Sequence, residues 1–129
     1  MNKYHAIGIH AHGKYFPSKG EGRRAAQLML MEKAREIRDL KLHPSVELFP
    51  GLNWKLDSSY IEKGCQDTIY EDYKGVMTGE IRIKAAVWRY LGPGVLRFVG
   101  SRGDRFFLMK EVIPLGLDRL ICDLKARPR

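Results

Sequence analysis

The chain predicts an α+β fold, with an antiparallel sheet of about four to six strands and two helices packed on it. Three observations carry this. Residues 80–112 alternate apolar and polar side chains between Gly, Pro and Asp breaks, the pattern of a three-strand meander. Residues 19–41 place apolar side chains at helical spacing behind a capping signal. Residues 117–125 repeat that spacing, with Leu117, Leu120, Ile121 and Leu124 at i, i+3, i+4 and i+7.

Taken in order, Lys3 to Ala11 reads as a strand. His5, Ile7 and Ile9 share one face, and Tyr4, Ala6, Gly8 and His10 the other. His12 continues the second face, so His10 and His12 have the spacing of two metal-binding imidazoles. No third ligand is identifiable, and an edge or loop pair is the simpler reading. Gly13 to Gly22 is a loop bearing Lys14 and Lys19. Strand, glycine-bearing loop and helix together make a phosphate cradle in some folds. Here neither GxxxxGK[ST] nor GxGxxG is present, and Ser18-x-x-Glu21 is a capping box that starts the helix.

The long helix runs from about Lys19 to Lys41. Its apolar stripe is Ala26, Met29, Leu30, Ala34, Ile37 and Leu40, with Lys33 inside it. Arg24, Arg35 and Arg38 face the other way, with Leu28 and Met31 among them. If exposed together, those two apolar residues would mark a protein partner or a homodimer seam. His43-Pro44 should end the helix. Apolar residues on either side of Pro50-Gly51 give two short strands. Asp57-Ser58-Ser59 caps a short helix over about 59–63, closed by Gly64. Residues 66–74 are mixed: Thr68, Ile69, Tyr70 and Tyr73 favour a strand, while Asp67, Glu71 and Asp72 oppose it. Residues 75–79 turn.

In the first meander strand, Ile81, Ile83, Ala85, Val87 and Leu91 fall on one face. Glu80, Arg82, Lys84, Ala86, Trp88 and Tyr90 fall on the other. Gly92-Pro93-Gly94 and residues 100–104 are the turns. The chain closes on a basic tail, 126–129.

The 129 residues suit one domain. No run reaches the ~18 apolar residues of a membrane span, and the N-terminus lacks a signal-peptide core. A cytoplasmic protein without membrane contact is expected, with Cys65 and Cys122 as buried thiols rather than a disulfide. Net charge is +8, split as +5 over residues 1–42, −3 over 43–79 and +6 over 80–129. A basic chain favours polyanions.

The leading expectation is a small, non-catalytic nucleic-acid-binding or regulatory protein, acting on DNA or RNA without a cofactor. Arg23, Arg24, Arg82, Lys84, Arg89, Arg97 and Arg102 would hold phosphates, and Trp88 or Tyr90 would stack on bases. The RNP consensus is absent, and the last helix would otherwise cover the two rings.

A second expectation is catalytic. Glu80-x-Arg82 and Lys84, with Asp67, Glu71 and Asp72 upstream, resemble the acid…acid-x-Lys arrangement of restriction-type nucleases. The resemblance implies Asp72, Glu80 and Lys84 as catalytic residues and Mg²⁺ as cofactor. Arg82 stands where that pattern has Lys, and an Arg cannot accept a proton. A third expectation is a protein-binding adaptor or inhibitor using the acidic middle and the 19–41 helix, with Leu28 and Met31 as the seam of a homodimer. Arg102-Gly103-Asp104 is an adhesion tripeptide in extracellular proteins, and reads here as a tight turn. No nucleophile motif such as GxSxG occurs.

Overall fold

The structure is a computed structural model, and it describes residues 9–11, 13–74 and 79–117. In chain order the elements are β1 (Ile9–Ala11), β2 (Lys14–Phe16), α1 (Lys19–Lys33), β3 (Ile37–Leu42), β4 (Ser45–Phe49), β5 (Leu52–Lys55), β6 (Ser58–Glu62), β7 (Ile69–Tyr73), α2 (Gly79–Leu91), β8 (Val95–Arg102) and β9 (Arg105–Val112). The α+β class holds. A five-stranded sheet of order β3-β6-β7-β8-β9 is antiparallel throughout except at β7–β8. That one parallel pair is joined through α2, because a parallel pair needs a long crossover. β1–β2 and β4–β5 are separate hairpins.

The two faces of the sheet are covered differently. Leu28 of α1 packs with Ile37, Tyr60, Ile69 and Val95 on one face. On the other, α2 and the β4–β5 hairpin bury Ile81, Ala85, Trp88, Val46 and Leu48 against Leu96, Phe98 and Val112. Strand alternation sends β7 side chains into both layers. Ile69 faces α1, while Tyr70 packs on Trp88 of α2 with ring centroids 5.3 Å apart.

Several expected elements are corrected. The first meander strand is the helix α2. Ile81, Ala85 and Trp88 are buried at i, i+4 and i+7, whereas Ile83, which strand alternation would bury with them, is 67% exposed. Lys84 reaches back to Glu80 at 3.4 Å, a further helix-spaced link. The other two meander strands do form a hairpin, β8–β9, with Gly103 at φ +63 in its turn.

The long helix stops at Lys33, well short of Lys41. Arg35 takes a left-handed φ of 63, and the amides of Ala34, Arg35 and Glu36 turn back to close the last turn. No glycine or proline marks this stop. Glu32 then accepts a hydrogen bond from the Leu40 amide at 2.9 Å, pinning the next strand. The buried stripe of α1 is Gly22, Ala25 and Leu28, so Met29 and Leu30 face outward instead. Residues 58–62 are the strand β6, not a helix. They pair with β3 on one side and β7 on the other, with Ser58 and Ser59 buried beneath their neighbours. Residues 69–73 are a strand. Two short strands flank Pro50-Gly51 as expected. Cys65 is a free thiol as expected, but it is exposed rather than buried. Most of the expected 117–125 helix, the basic tail, Cys122, His5 and His12, the side chain of His10 and the turn at 75–78 lie outside the described residues. Among the described residues, no helix is long and apolar enough to cross a membrane.

Candidate active site

The capping box at the start of α1 forms as read. The Ser18 Oγ accepts from the Glu21 amide at 3.2 Å, and the Glu21 carboxylate accepts from the Ser18 amide. Only one Glu21 oxygen can be used that way. Its Oε2 is buried with no hydrogen-bond partner, which is uncommon for a buried carboxylate. Glu21 and Asp57 line the same small cavity, together with Phe16, Ser58, Glu71 and Tyr73.

Asp57 precedes β6, and two bonds to β7 hold it. Its amide donates to the Glu71 carbonyl at 3.1 Å, and its Oδ2 accepts from the Tyr73 amide at 2.6 Å. That places its carboxyl within hydrogen-bonding reach of Asp72. Asp72 in turn binds Lys74 Nζ at 3.1 Å. Lys74 donates its own amide to the Val99 carbonyl at 2.8 Å, which extends the β7–β8 pairing by one residue. Asp72-Tyr73-Lys74 therefore occupies the carboxyl end of a parallel strand, where ligands of open α/β sheets bind.

Glu21, Asp57 and Asp72 thus gather around one ammonium. Burial, followed by the charges of Asp72 and Glu21, pushes the Asp57 carboxyl well above the usual aspartate range. Burial also raises Glu21, helped by Asp72 and opposed by the Ser18 amide and Lys74. For Lys74 burial works against the charge, but Asp72, Asp57 and Glu80 outweigh it and hold the ammonium above its ordinary pKa. Among the described residues, no three His, Cys, Asp or Glu side chains form a ready-made metal cage.

A second charged cluster lies on the α1 face and is closed. Glu71 is 1% exposed and receives Arg24 through two hydrogen bonds, at 2.5 and 2.9 Å, and the Tyr60 hydroxyl at 2.7 Å. Arg97 binds Glu111 at 2.8 Å and Glu62 at 3.2 Å. Two of the expected phosphate-binding arginines, Arg24 and Arg97, are thus engaged by the protein's own carboxylates.

The other expected residues disperse. Trp88 is 0% exposed and donates its Nε1 to the Gly94 carbonyl at 2.8 Å, so it cannot stack on a base. Tyr90 is 75% exposed. Two residues apart on a helix is about 200°, so the two rings never shared a face. Arg82 and Arg89 line a groove with Lys110, and Arg89 also donates to the Ile113 carbonyl. Arg102 stands opposite Arg105 at the hairpin tip, and Arg23 is exposed on α1. Lys84 is taken by Glu80 and lies 5.8 Å over the Trp54 ring. Of the expected nuclease set, Asp72 is in the site, Glu80 reaches Lys74 only through its field, and Lys84 belongs to the helix surface. Leu28 is 0% exposed, so it cannot form a seam with Met31.

Glu21, Asp57 and Lys74 were missed as a group. One signal was present: an acid-x-Lys triplet at 72–74, eight residues before the Glu80-x-Arg82 that was read instead.

The site is an acidic cluster with one lysine at a sheet's carboxyl edge. Residues 1–97 match the model of a family described as a protein of unknown function, DUF1064, and the chain belongs to that family. The matched span contains Glu21, Asp57, Asp72 and Lys74, and ends just inside β8. No curated protein and no solved structure matches the chain.

Proposed function

We propose that this protein is a metal-dependent nuclease whose reacting groups are Glu21, Asp57, Asp72 and Lys74. The observation that carries this is the gathering of three carboxylates, two with raised pKa values, around a single lysine held charged. Such an arrangement costs stability unless a cation offsets it, and strained titratable clusters are candidate functional sites.

The donors suit a hard divalent ion. They are the carboxylate oxygens of Asp57 and Asp72. The Asp57–Asp72 pair supplies the one or two carboxylates that Mg²⁺ takes, its remaining positions being filled by water and substrate phosphate. When bound, such an ion polarises a phosphoryl oxygen. The protein does the rest. The Tyr73 amide fixes Asp57 beside Asp72, giving a carboxylate pair. The Lys74 ammonium, charged at any ordinary pH, neutralises the phosphate's extra charge as the bond to phosphorus forms. Glu21 Oε2 accepts a hydrogen bond from the attacking water and takes its proton. The new phosphorus–oxygen bond forms, the ester bond breaks, and the leaving oxygen is protonated from solvent.

Nicking of a supercoiled plasmid tests this. The expected result is cleavage with Mg²⁺ or Mn²⁺ and none with EDTA. Asp72→Asn and Lys74→Ala should each lose about 100-fold or more, the scale for removing one charge-stabilising group. Glu80→Ala should retain cleavage. Wild-type rates in Asp72→Asn would remove the reading.

A further inference from the structure

Beside the acidic cluster lies a cleft of opposite sign. It is lined by Lys14, Tyr15, Pro17, His43, Lys55, Leu56 and Asp57, and its volume is about 440 Å³. Asp57 belongs to both, so the cleft opens directly onto the site. Three separate elements build it. Lys14 and Tyr15 come from β2, His43 from the turn between β3 and β4, and Lys55 from the end of β5. His43 has a left-handed φ of 57, and its amide donates to the Asp57 carbonyl at 2.9 Å, which fixes the cleft's floor to the site. Its ring lies 5.1 Å from that of Phe16.

Both lysines are exposed, and among the described residues neither has a carboxylate within ion-pair distance. Burial, followed by the charges of Lys55 and Lys14, keeps the His43 ring neutral more readily than usual. Elsewhere Arg24, Arg97, Lys84 and Lys74 all have acidic partners. Among the described residues, the cleft thus brings together two lysines that form no ion pair with a carboxylate, and anions gain most from such charge. The Tyr15 ring stands 49% exposed at its rim. A positive groove with an aromatic face is the general form of a strand-binding surface.

We propose that this cleft seats one nucleotide of a nucleic-acid strand next to the bond cut at Asp57 and Asp72, with its phosphate on Lys14 and Lys55 and its base against Tyr15. The proposal rests on the nuclease reading for what happens at the neighbouring bond. Seating the strand on the basic side leaves the adjacent phosphate over the carboxylates, where a cation offsets both negative partners.

The test separates the two readings. Fluorescence anisotropy of a labelled single-stranded oligonucleotide in EDTA, over a range of salt concentrations, reports binding without cleavage. For the full chain carrying Lys14→Ala and Lys55→Ala together, the slope of log affinity against log salt should fall by about 0.7, since the two lysines hold one phosphate and each single-strand phosphate neutralised contributes about 0.7. Lys14→Arg with Lys55→Arg should keep the wild-type slope. An unchanged slope in the alanine pair overturns the proposal, as does a slope lost equally in the arginine pair. Cleavage by Asp72→Asn is scored separately. If the slope falls as expected but no plasmid is cut, the cleft stands and the nuclease reading fails. If cutting depends on Asp72 but the slope is unchanged, the reverse holds.

Discussion

Arg24 and Glu71 show what a buried charge demands of its neighbours. Glu71 is nearly inaccessible, and in the described structure its carboxylate takes its hydrogen bonds from Arg24 and Tyr60. Arg24→Ala would leave that carboxylate buried beside a single hydroxyl, and breaking one half of such a pair costs about 3–5 kcal/mol. Urea unfolding should show a midpoint shift of that size. Arg24→Met combined with Glu71→Leu should recover most of it, because removing both charges leaves nothing unpaired. Asp57 is a different case, with a folded pKa raised above the unfolded value. The folded state then holds the proton more tightly than the unfolded chain. Its contribution is favourable at low pH and is lost as pH rises from the ordinary aspartate range through the raised pKa. Metal-free Asp57→Asn, whose amide oxygen can still accept from the Tyr73 amide, should therefore gain stability relative to wild type as pH rises over that window. Thermal melts in EDTA from pH 4 to 7 would show it. A constant difference across that range would count against the burial and charge crowding assigned to Asp57.

Among the elements, α1 approaches β7 most closely at Gly20. A Cβ there would collide with the Tyr73 ring, whose hydroxyl shares a 2.7 Å hydrogen bond with Ser101. Tyr73 sits between Asp72 and Lys74, so Gly20→Ala should disturb the site as well as the packing. A loss of about 1–3 kcal/mol in stability, the usual cost of overpacking, should accompany a loss of nicking. The strand β9 carries an opposite liability. It is the eight-residue edge of the sheet, with Phe107 and Leu108 exposed. Long apolar edges invite pairing with another chain, and a lysine on the edge discourages it. Leu108→Lys should reduce any concentration-dependent light scattering. These elements also show why part of the fold was legible and part was not. The Ser18–Glu21 box and the turns at Pro50-Gly51 and Gly103 are local signals, and they formed as read. The helix α2 satisfies strand alternation almost as well as helical spacing, and only the burial of Trp88 with Ile81 and Ala85 separates the two. The stop after Lys33 uses an arginine in the left-handed region, a choice without a sequence signature.

For the molecule as a whole, the charge map changes meaning once folded. The sequence shows basic ends and an acidic middle. Folding brings Asp57 and Asp72 of that middle to Glu21 of the first basic segment, through β6–β7 pairing and the approach of α1. Neither contact is local, so no window of residues could reveal it. Lys14 and Lys55 then lie beside that acidic centre, and under the proposed function the two together serve a polyanion and a divalent cation. A cation that binds only the folded chain stabilises it by mass action, by about 2.7 kcal/mol at a hundred times its dissociation constant. Mg²⁺ titration should thus raise the melting temperature of wild type and leave that of Asp57→Asn or Asp72→Asn nearly unchanged.

The strand β7 assigns its successive residues to opposite sides: Glu71 bolts down α1, while Asp72 and Lys74 serve the other flank with Asp57. An insertion or deletion of one residue just ahead of Glu71 would invert this allotment, exposing the bolt and entombing the reagents. Natural length variation in this family should therefore spare 69–74 and accumulate in the connections on either side.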